Sequence, residues 1–412
     1  MNSKILIWGV IAILAVAAVA VVIVLNDSDE TPVAYPNNRL WVFGNANGDD
    51  HIDQKDIDYL EALIEGKEDV EKTEFADANQ DGKIDQRDVD HVKDMINKKP
   101  MKIYYLDVDL TVSSINYPIN YLLPTYQDSA EILVVLDLAD KVVGAEDLIL
   151  TTNAKQFGFD VPTVGNRFNP NVEVILSLKE QWGDLTLFGG TREHYYEGLE
   201  DTLDGTGIQI VRLPSFELGL TATGVCTAGF LFDRVAEADA YLEWHDRILN
   251  TIEERVATID EKDRVSVLVT VRNGTRGIGS GYYENTVISG GNNVAPRFGG
   301  AFNDVWDAES VLFVNPDIFI NCIGTTYYGE KSGLVTARDD IKDQLPGYTG
   351  QIGIFGHEVA NGPAYVISLI IYANWFYPDM FDDMDALEEF QFYLDNFTNR
   401  DLDVDDLAIL II

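Results

Sequence analysis

The stretch EADAYLEWHDRILNTIEERVATI, at residues 237–259, lies near the middle of the chain and contains neither glycine nor proline. Its apolar residues recur near the helical period of 3.6: Leu242, Ile248, Leu249, Ile252 and Val256. A helix of this length would reach about 35 Å at roughly 1.5 Å per residue. Two segments of similar length flank it, residues 100–236 and 260–398. The sequence therefore predicts two folded lobes held apart by one long helix, an arrangement that permits little closure.

Short β-branched runs alternate with helical stretches in both flanking segments. The first segment contains EILVVLDLADKVVGAE, LTLFG and GIQIVRL, and the second contains RVSVLVTV, IFINCIG and QIGIF. Strands that alternate with helices form parallel sheets. We therefore predict an α/β fold class, with two Rossmann-like lobes at residues 100–236 and 260–398 and an acidic and apolar C-terminal tail at residues 399–412.

A twelve-residue acidic loop occurs twice before the first lobe. NANGDDHIDQKD begins at Asn45, and DANQDGKIDQRD begins at Asp77, 32 residues later. Oxygen-bearing side chains occupy loop positions 1, 3, 5, 9 and 12, and position 7 offers a backbone carbonyl, which together suit the six to eight oxygen ligands of calcium. The predicted ligands are Asn45, Asn47, Asp49, His51, Asp53 and Asp56 in the first loop, and Asp77, Asn79, Asp81, Lys83, Asp85 and Asp88 in the second. Gly82 permits the bend at position 6 of the second loop, whereas Asp50 makes the first loop the weaker predicted site.

An apolar stripe with helical spacing follows each loop. The stripes are Ile57, Leu60 and Ile64 after the first loop, and Val89, Val92 and Ile96 after the second. Two such stripes predict a pair of helices that share a small core. Each loop is followed by a single helix and ends in Asp at position 12, where an EF-hand has Glu. In these two features residues 40–99 resemble a type I dockerin. The resemblance implies a small all-α calcium-binding domain and a cohesin-type partner; the alternative is a calcium-stapled spacer without a partner.

An uncharged run occupies residues 5–25 at the N-terminus. Its 21 residues would span about 31 Å as a helix, close to the thickness of the hydrocarbon core. Lys4 precedes the run and acidic residues follow it, so the positive-inside rule places the N-terminus in the cytoplasm and the rest outside. We predict a transmembrane anchor at residues 1–26 and a linker at residues 27–39, which gives a single-pass protein of the cell membrane whose bulk is extracellular or periplasmic. A cleaved signal peptide is the alternative.

The composition argues against several classes of function. The chain carries 69 acidic and 29 basic residues, a formal charge of -40, which argues against nucleic acid and anionic lipid as partners. None of its five histidines lies in an HExxH motif, and neither a nucleophile elbow nor a P-loop occurs, so we predict that it is not an enzyme. Cys226 and Cys322 lie in apolar or small-residue stretches and are predicted to be buried thiols, with one disulfide as the alternative.

Several motifs of the two lobes resemble the helical-backbone solute-binding proteins of ABC importers. In the first lobe they are LADKVVGAED and PTVGNRFNPNVEVILSLK, and in the second GSGYYENTVISGGNNVA, VWDAESVLFVNPDIFI and GPAYVISLIIYANWFYPDMF. The resemblance covers residues 102–398 and implies capture of an iron–siderophore, haem or cobalamin for an ABC permease with a cytoplasmic ATPase. It also implies that Glu173 and Glu309, one acid on the outer face of each lobe, dock on arginines of the permease.

A ligand cleft is expected between the lobes, in the loops that follow the strands. The candidates combine aromatic and charged side chains that suit a metal chelate: Tyr126, Asp128 and Arg192 in the first lobe, and Arg276, Tyr282, Tyr283, Tyr327 and His357 in the second. The leading hypothesis is a membrane-anchored receptor that delivers a metal chelate to a permease. The alternative is a calcium-dependent cell-surface assembly protein that binds a cohesin-bearing partner.

Overall fold

The computed structural model describes most of the chain from residue 35 onward. The described ranges are 35–67, 69–151, 157–189, 198–215, 218–271, 274–278, 280–298, 305–323, 331–356, 359–360, 362–398 and 410–411. The predicted transmembrane anchor at residues 1–26 lies outside the described residues, as do three cleft candidates: Arg192, Tyr327 and His357. Within the described ranges, no helix combines the length and the apolar character that a membrane span requires.

The duplicated loops each lead into an eleven-residue helix, α1 (Gln54–Ile64) and α2 (Gln86–Ile96). Asp53 and Asp85, at loop position 9, are the N-caps, and each forms a capping box with the position-12 aspartate. The two helices share a core of buried apolar residues: Ala46, Ile57, Leu60, Ala76, Ala78, Val89 and Val92.

The predicted apolar stripes are wrong at their last members. Ile64 is 43% exposed and Ile96 is 38% exposed, whereas Ile57, Leu60, Val89 and Val92 are buried. Ile64 and Ile96 each end their helix, so the chain turns away before the opposite helix can cover them. The shared core therefore excludes the last residue of each predicted stripe.

The first lobe is built on a short parallel sheet. The sheet contains three parallel strands in the order β3-β6-β7, which are β3 (Leu122–Pro124), β6 (Thr186–Phe188) and β7 (Gln209–Val211). An antiparallel hairpin precedes the sheet and consists of β1 (Met101–Leu106) and β2 (Val112–Tyr117). Its other elements, in chain order, are α3 (Gln127–Val135), α4 (Asp147–Thr151), a tight hairpin of β4 (Gly165–Asn166) and β5 (Asn169–Pro170), α5 (Val172–Trp182), α6 (Leu199–Leu203) and α7 (Thr221–Leu231).

The apolar run EILVVLDLADKVVGAE, which the sequence analysis interprets as a strand, is helical at its start. Helix α3 continues through Val135, and every residue from 128 to 135 is buried. A helix that is buried all round shows no polar face, so its apolar run cannot be distinguished from a buried strand by periodicity. The strand of this part of the lobe is β3, which precedes the run.

One unbroken helix, α8 (Val235–Val256), connects the two lobes. It has 22 residues, and it begins two residues earlier and ends three residues earlier than the predicted range 237–259. Tyr241, Leu242, Ile248 and Ile252 are among its buried residues. The helix packs against α3 and α7 of the first lobe and also against elements of the second lobe. It is therefore a common support for both lobes.

The second lobe contains a larger sheet with the described strand order β10-β8-β11-β12-β13, and β9 pairs with β8. The strands are β8 (Ser266–Val271), β9 (Gly274–Thr275), β10 (Asn292–Asn293), β11 (Ile318–Ile323), β12 (Gln351–Gly356) and β13 (Leu410–Ile411). The four strands β10, β8, β11 and β12 run parallel to one another, and β9 and β13 are antiparallel to their neighbours. The helices are α9 (Gly281–Ile288), α10 (Ala308–Val314), α11 (Lys331–Gln344), α12 (Val366–Phe376) and α13 (Ala386–Phe397). The predicted C-terminal tail thus contributes an edge strand.

The calcium-loop segment packs directly on the first lobe. Leu40, Val42 and Met95 belong to the same apolar cluster as Ile103 and Tyr105 of β1. Val42 also forms an isolated antiparallel bridge with Tyr105. Cys226 and Cys322 are both buried, and no disulfide joins them. The N-terminal helical segment and the lobes therefore share a continuous core.

Candidate functional site

The two lobes meet at the carboxyl ends of their parallel strands. In the first lobe β3 leads into Tyr126, and in the second β12 leads into the segment that contains Gly362. A Cβ built on Gly362 would lie 2.5 Å from Glu131 Oε2 and 3.3 Å from Asp128 Oδ1, both on α3. Open α/β sheets bind ligands outside the carboxyl ends of their strands. The lobe junction is therefore the candidate ligand site.

A buried carboxyl group, Glu131, holds this junction together. The Tyr393 hydroxyl on α13 donates to Glu131 Oε1 at 2.6 Å, and the backbone N–H of Ala364 also hydrogen-bonds to the carboxyl group. Burial raises the pKa of Glu131 to about 8, with a further contribution from Asp128. Glu131 is not among the residues predicted from the sequence, where the available signal is a single acid at the start of a long apolar run.

An arginine–tyrosine stack borders the same junction in the first lobe. The guanidinium carbon of Arg167 lies 4.2 Å from the centroid of the Tyr126 ring, a cation–π geometry. Arg167 Nε lies 3.6 Å from Glu146 Oε1, and both side chains are nearly fully buried. The stack fixes the orientation of the Tyr126 ring. Sequence analysis missed Arg167 because it forms the turn of the β4–β5 hairpin, far from Tyr126 in the chain.

The structure places the predicted cleft residues in two groups. Tyr126 and Asp128 lie at the N-terminal end of α3, and both are buried. In the second lobe, Tyr282 and Tyr283 lie in the first turn of α9, and Arg276 precedes this helix. The guanidinium carbon of Arg276 is 5.9 Å from the centroid of the Tyr282 ring. Tyr283 is half-buried, and burial raises its pKa. Each lobe therefore contributes aromatic rings and charge.

The two predicted docking acids are solvent-exposed at the starts of helices. Glu173 is in the first turn of α5, and Glu309 is in the first turn of α10. No ion pair joins either acid to another described residue. The most exposed large apolar side chains of the described chain include Phe168, at 75%, and Phe313, at 89%, which lie within five residues of these acids. A recess of about 470 Å³, lined by Asp147 and Glu173 among others, adjoins the β4–β5 hairpin.

The duplicated loops offer convergent oxygen atoms. The position-12 carboxyl groups of Asp56 and Asp88 are buried and accept hydrogen bonds from backbone N–H groups of loop positions 3 and 9. Burial raises the pKa of Asp56 to about 6 and also raises that of Asp88. Asn45 Oδ1, at position 1, is buried without a hydrogen-bond partner in the described structure.

This donor set fits calcium. In the first loop, the amide oxygen of Asn45 is buried without a hydrogen-bond donor, and the carboxyl group of Asp56 is also buried. A bound hard cation would interact favourably with both groups. Among His, Cys, Asp and Glu alone, the described residues contain no group of three that could hold a metal ion. Besides their acids, the loops offer two other kinds of calcium ligand, the side-chain oxygens of Asn and the backbone carbonyls. Basic side chains also lie at the loops: Lys55 Nζ is 3.3 Å from Asp49, and Arg87 Nη2 is 2.8 Å from Asp85.

The helical segment matches a known family. Residues 44–97 match the family model of the dockerin type I domain, a match that implies calcium binding. The resemblance that the repeated loops indicate is therefore confirmed. Among curated proteins, none matches the sequence of this chain significantly.

The fold of the larger part matches solved periplasmic binding proteins. The TroA-like periplasmic binding protein FepB of Veillonella parvula aligns with a TM-score of 0.60 and 17% identity, over 75% of this chain and 97% of that one. The molybdate-binding MolA of Haemophilus influenzae aligns with a TM-score of 0.56 and 16% identity, over 72% and 98%. CeuE of Helicobacter pylori, with Ni(II) bound, aligns with a TM-score of 0.52 and 13% identity, over 74% and 98%. The chain therefore has the mixed α/β fold of TroA-like solute-binding proteins, with a dockerin type I segment in front of it.

Proposed function

We propose that this protein is the extracellular substrate-binding component of an ABC importer and that it captures a metal chelate in the junction between its lobes. The observation that carries the proposal is the single unbroken helix α8, which supports two parallel-sheet lobes whose strand ends face each other. A rigid connection suits a receptor that closes slightly on a ligand. The lobes do not need to move far apart to release it.

The chemistry of the junction supports a metal chelate such as a ferric siderophore, haem or cobalamin. Arg276 offers a planar cation for carboxylate or phosphate groups, and the half-buried Tyr283 offers a face for flat ligands, while Tyr126, buried and stacked on Arg167, shapes the wall of the proposed site. The solved structural neighbours bind molybdate in one case and Ni(II) in another. Arg192, Tyr327 and His357, which lie outside the described residues, remain proposed ligand contacts. The proposed role is capture and delivery, without catalysis.

Ligand binding can be tested by the quenching of tryptophan fluorescence. The purified protein is titrated with ferric siderophores, haem and cobalamin, and we expect one of them to bind at micromolar concentration or below. Tyr126→Ala and Arg276→Ala should each weaken that binding at least tenfold, whereas Tyr59→Ala, on α1 away from the junction, should not. The proposal fails if none of these ligands changes the fluorescence or the thermal unfolding of the protein.

Docking on a permease is the proposed role of Glu173 and Glu309. Each acid lies within five residues of a highly exposed phenylalanine, so each lobe offers an exposed carboxylate and an exposed apolar side chain close together in sequence. Reversing the charge in Glu173→Lys and Glu309→Lys should abolish ligand-stimulated ATP hydrolysis by the reconstituted importer and leave ligand affinity unchanged. Glu180→Lys, an exposed acid further along α5, is the matched control. Equal loss in the control would contradict the docking role.

The proposed location is the outer face of the cell membrane, with residues 1–26 as a single-pass anchor. The dockerin type I segment, with two proposed calcium sites, would then stand between the anchor and the receptor. Protease digestion of intact cells checks this arrangement. Cleavage should remove the receptor while the N-terminal peptide stays with the membrane fraction.

A second function is favoured by the family match of residues 44–97. Through the exposed faces of α1 and α2, the segment would bind a cohesin-bearing partner in a calcium-dependent manner. Pull-down with purified type I cohesins in calcium, and its loss in EDTA, would support this role. It is compatible with ligand capture because the lobe junction lies on other elements.

A further inference from the structure

The two calcium loops differ at positions 6 and 7, in a way that calcium ligation does not explain. Position 6 is Asp50 in the first loop and Gly82 in the second, and position 7 is His51 and Lys83. The sequence analysis treats Asp50 only as a weakness of the first site. In the structure both Asp50 and His51 face the receptor, and each of them binds a side chain outside the loop.

Arg39 connects Asp50 to the inter-lobe helix. Its guanidinium group pairs with the Asp50 carboxylate on one side, and its Nη1 lies 2.8 Å from both carboxylate oxygens of Asp246 on α8. His51 Nε2 lies 3.0 Å from Asp239 Oδ1, two helical turns earlier on α8. The first calcium loop is therefore fastened to α8 at two places.

The attachment continues toward the lobe junction. Asp246 Oδ1 also pairs with His245 Nδ1 at 2.9 Å, and His245 Nε2 lies 2.9 Å from the Tyr365 hydroxyl. Tyr365 ends the short helical turn Pro363–Tyr365, in which the backbone N–H of Ala364 hydrogen-bonds to Glu131. A chain of hydrogen bonds thus runs from the first calcium loop to the segment between the lobes.

The second loop has no comparable attachment. Among the described residues, the side chains of this loop form hydrogen bonds and ion pairs only within residues 77–90. Arg87 turns back onto Asp81 and Asp85 of its own loop. The duplication therefore provides one loop attached to the receptor and one loop that is not.

We propose that the first calcium loop is a latch, whose occupation by calcium orders the Asp50–Arg39–Asp246 and His51–Asp239 contacts and so stabilises the inter-lobe helix. The proposal rests on the calcium sites of the proposed function. Without a divalent cation, Asp49, Asp50, Asp53 and Asp56 repel one another, and the repulsion loosens the loop. A cation bound by the loop offsets that repulsion and fixes positions 6 and 7 toward α8. Calcium in the second loop stabilises α2 and its packing on β1, but that loop has no polar contact with α8 through which to order the inter-lobe helix.

The test is hydrogen–deuterium exchange of the full chain in detergent, with and without calcium chloride, while isothermal titration measures the binding of calcium. Calcium should slow exchange in peptides from residues 235–256 and raise the midpoint of thermal unfolding by several degrees. Asp49→Ala, at position 5 of the first loop, should abolish the calcium-dependent protection of residues 235–256. Asp81→Ala, the matched position of the second loop, should retain that protection.

Asp50→Gly separates the latch from the metal site, because it restores the residue that the repeat has at position 6. This variant should still bind calcium, yet the calcium-dependent protection of residues 235–256 should fall by at least half. Arg39→Gln should do the same. Calcium binding without protection of α8 in the wild type, or equal protection in Asp50→Gly and Asp81→Ala, would overturn the latch. A failure of the wild type to bind calcium would overturn the calcium sites and the latch together.

Discussion

The carboxyl group of Glu131 shows how a single residue can bind the two lobes and set a pH dependence. It lies on α3 of the first lobe, and its partners are Tyr393 of α13 and Ala364 of the segment after β12. A buried carboxyl group is favoured in its neutral form, which donates as well as accepts. The junction therefore depends on the protonation of this acid.

Glu131 should make the protein less stable as the pH rises. Its pKa is about 8 in the folded protein and near the ordinary value of 4.5 in the unfolded chain, so between these values the folded state holds one more proton. The stabilisation is complete below pH 4.5 and is lost as the pH passes 8, a difference on the order of 5 kcal/mol. Urea unfolding at pH 5, 6.5 and 8 measures it.

Glu131→Gln mimics the protonated form and should remove this part of the pH dependence. Glu180→Gln, at an exposed position on α5, should unfold with the wild-type dependence on pH. The assignment is wrong if the Glu131→Gln variant and the wild type lose stability in parallel from pH 5 to pH 8.

At the residue scale, the sequence predicts the side chains whose role follows from local spacing. The loop ligands from Asn45 to Asp56 are recognisable because a single turn of chain brings them together. Glu131 and Arg167 are not recognisable, because their roles depend on Tyr393 and Tyr126, which reach them only in the folded chain. Asp50 was interpreted from its own loop alone, so its contact with Arg39 could not be foreseen.

Among the secondary-structure elements, α8 has the most distinct sequence signal and the largest structural consequence. Its uninterrupted periodicity predicts a helix, and the structure contains one over Val235–Val256. The misassigned element is α3, whose residues are buried on every side. Amphipathic helices are recognisable from sequence because solvent marks one face, and α3 has no such face.

Truncation of a buried residue of α8 should destabilise the protein as a whole. Ile248 is fully buried among residues of both lobes, so Ile248→Ala should lower the free energy of unfolding by about 2–5 kcal/mol. Leu249→Ala, at the next position, removes a similar side chain that is only partly buried, and its effect should be smaller. Equal effects, measured by urea unfolding, would contradict the role of the buried face of α8.

For the whole molecule, the sequence predicts the classes of its parts better than their arrangement. The order of the dockerin-like segment and the two α/β lobes follows from motifs along the chain. The packing of the calcium-loop segment on the first lobe cannot be predicted from these motifs. Leu40, Val42 and Met95 belong to the shared apolar cluster, but nothing in their local sequence identifies their distant partners. Packing between segments is decided by surface shape, which a periodic pattern does not encode.

The charge of the whole chain should make its stability depend on salt. The formal charge of the chain is -40, so the acidic side chains of the folded protein repel one another, and dissolved ions screen this repulsion. In EDTA, the midpoint of thermal unfolding should rise by several degrees between roughly 0.01 M and 1 M potassium chloride, over which the Debye length falls from about 30 Å to about 3 Å. Sodium chloride should act alike, and a flat response to both salts would contradict this account.

The most direct measurement of the receptor function is native mass spectrometry of the protein purified from its own source. We predict one equivalent of a metal chelate bound to the folded chain, released on denaturation and absent from a Tyr126→Ala, Arg276→Ala double variant. A mass that corresponds to the chain with calcium alone, or a ligand that the double variant retains in full, would contradict the assignment of the lobe junction as a ligand site.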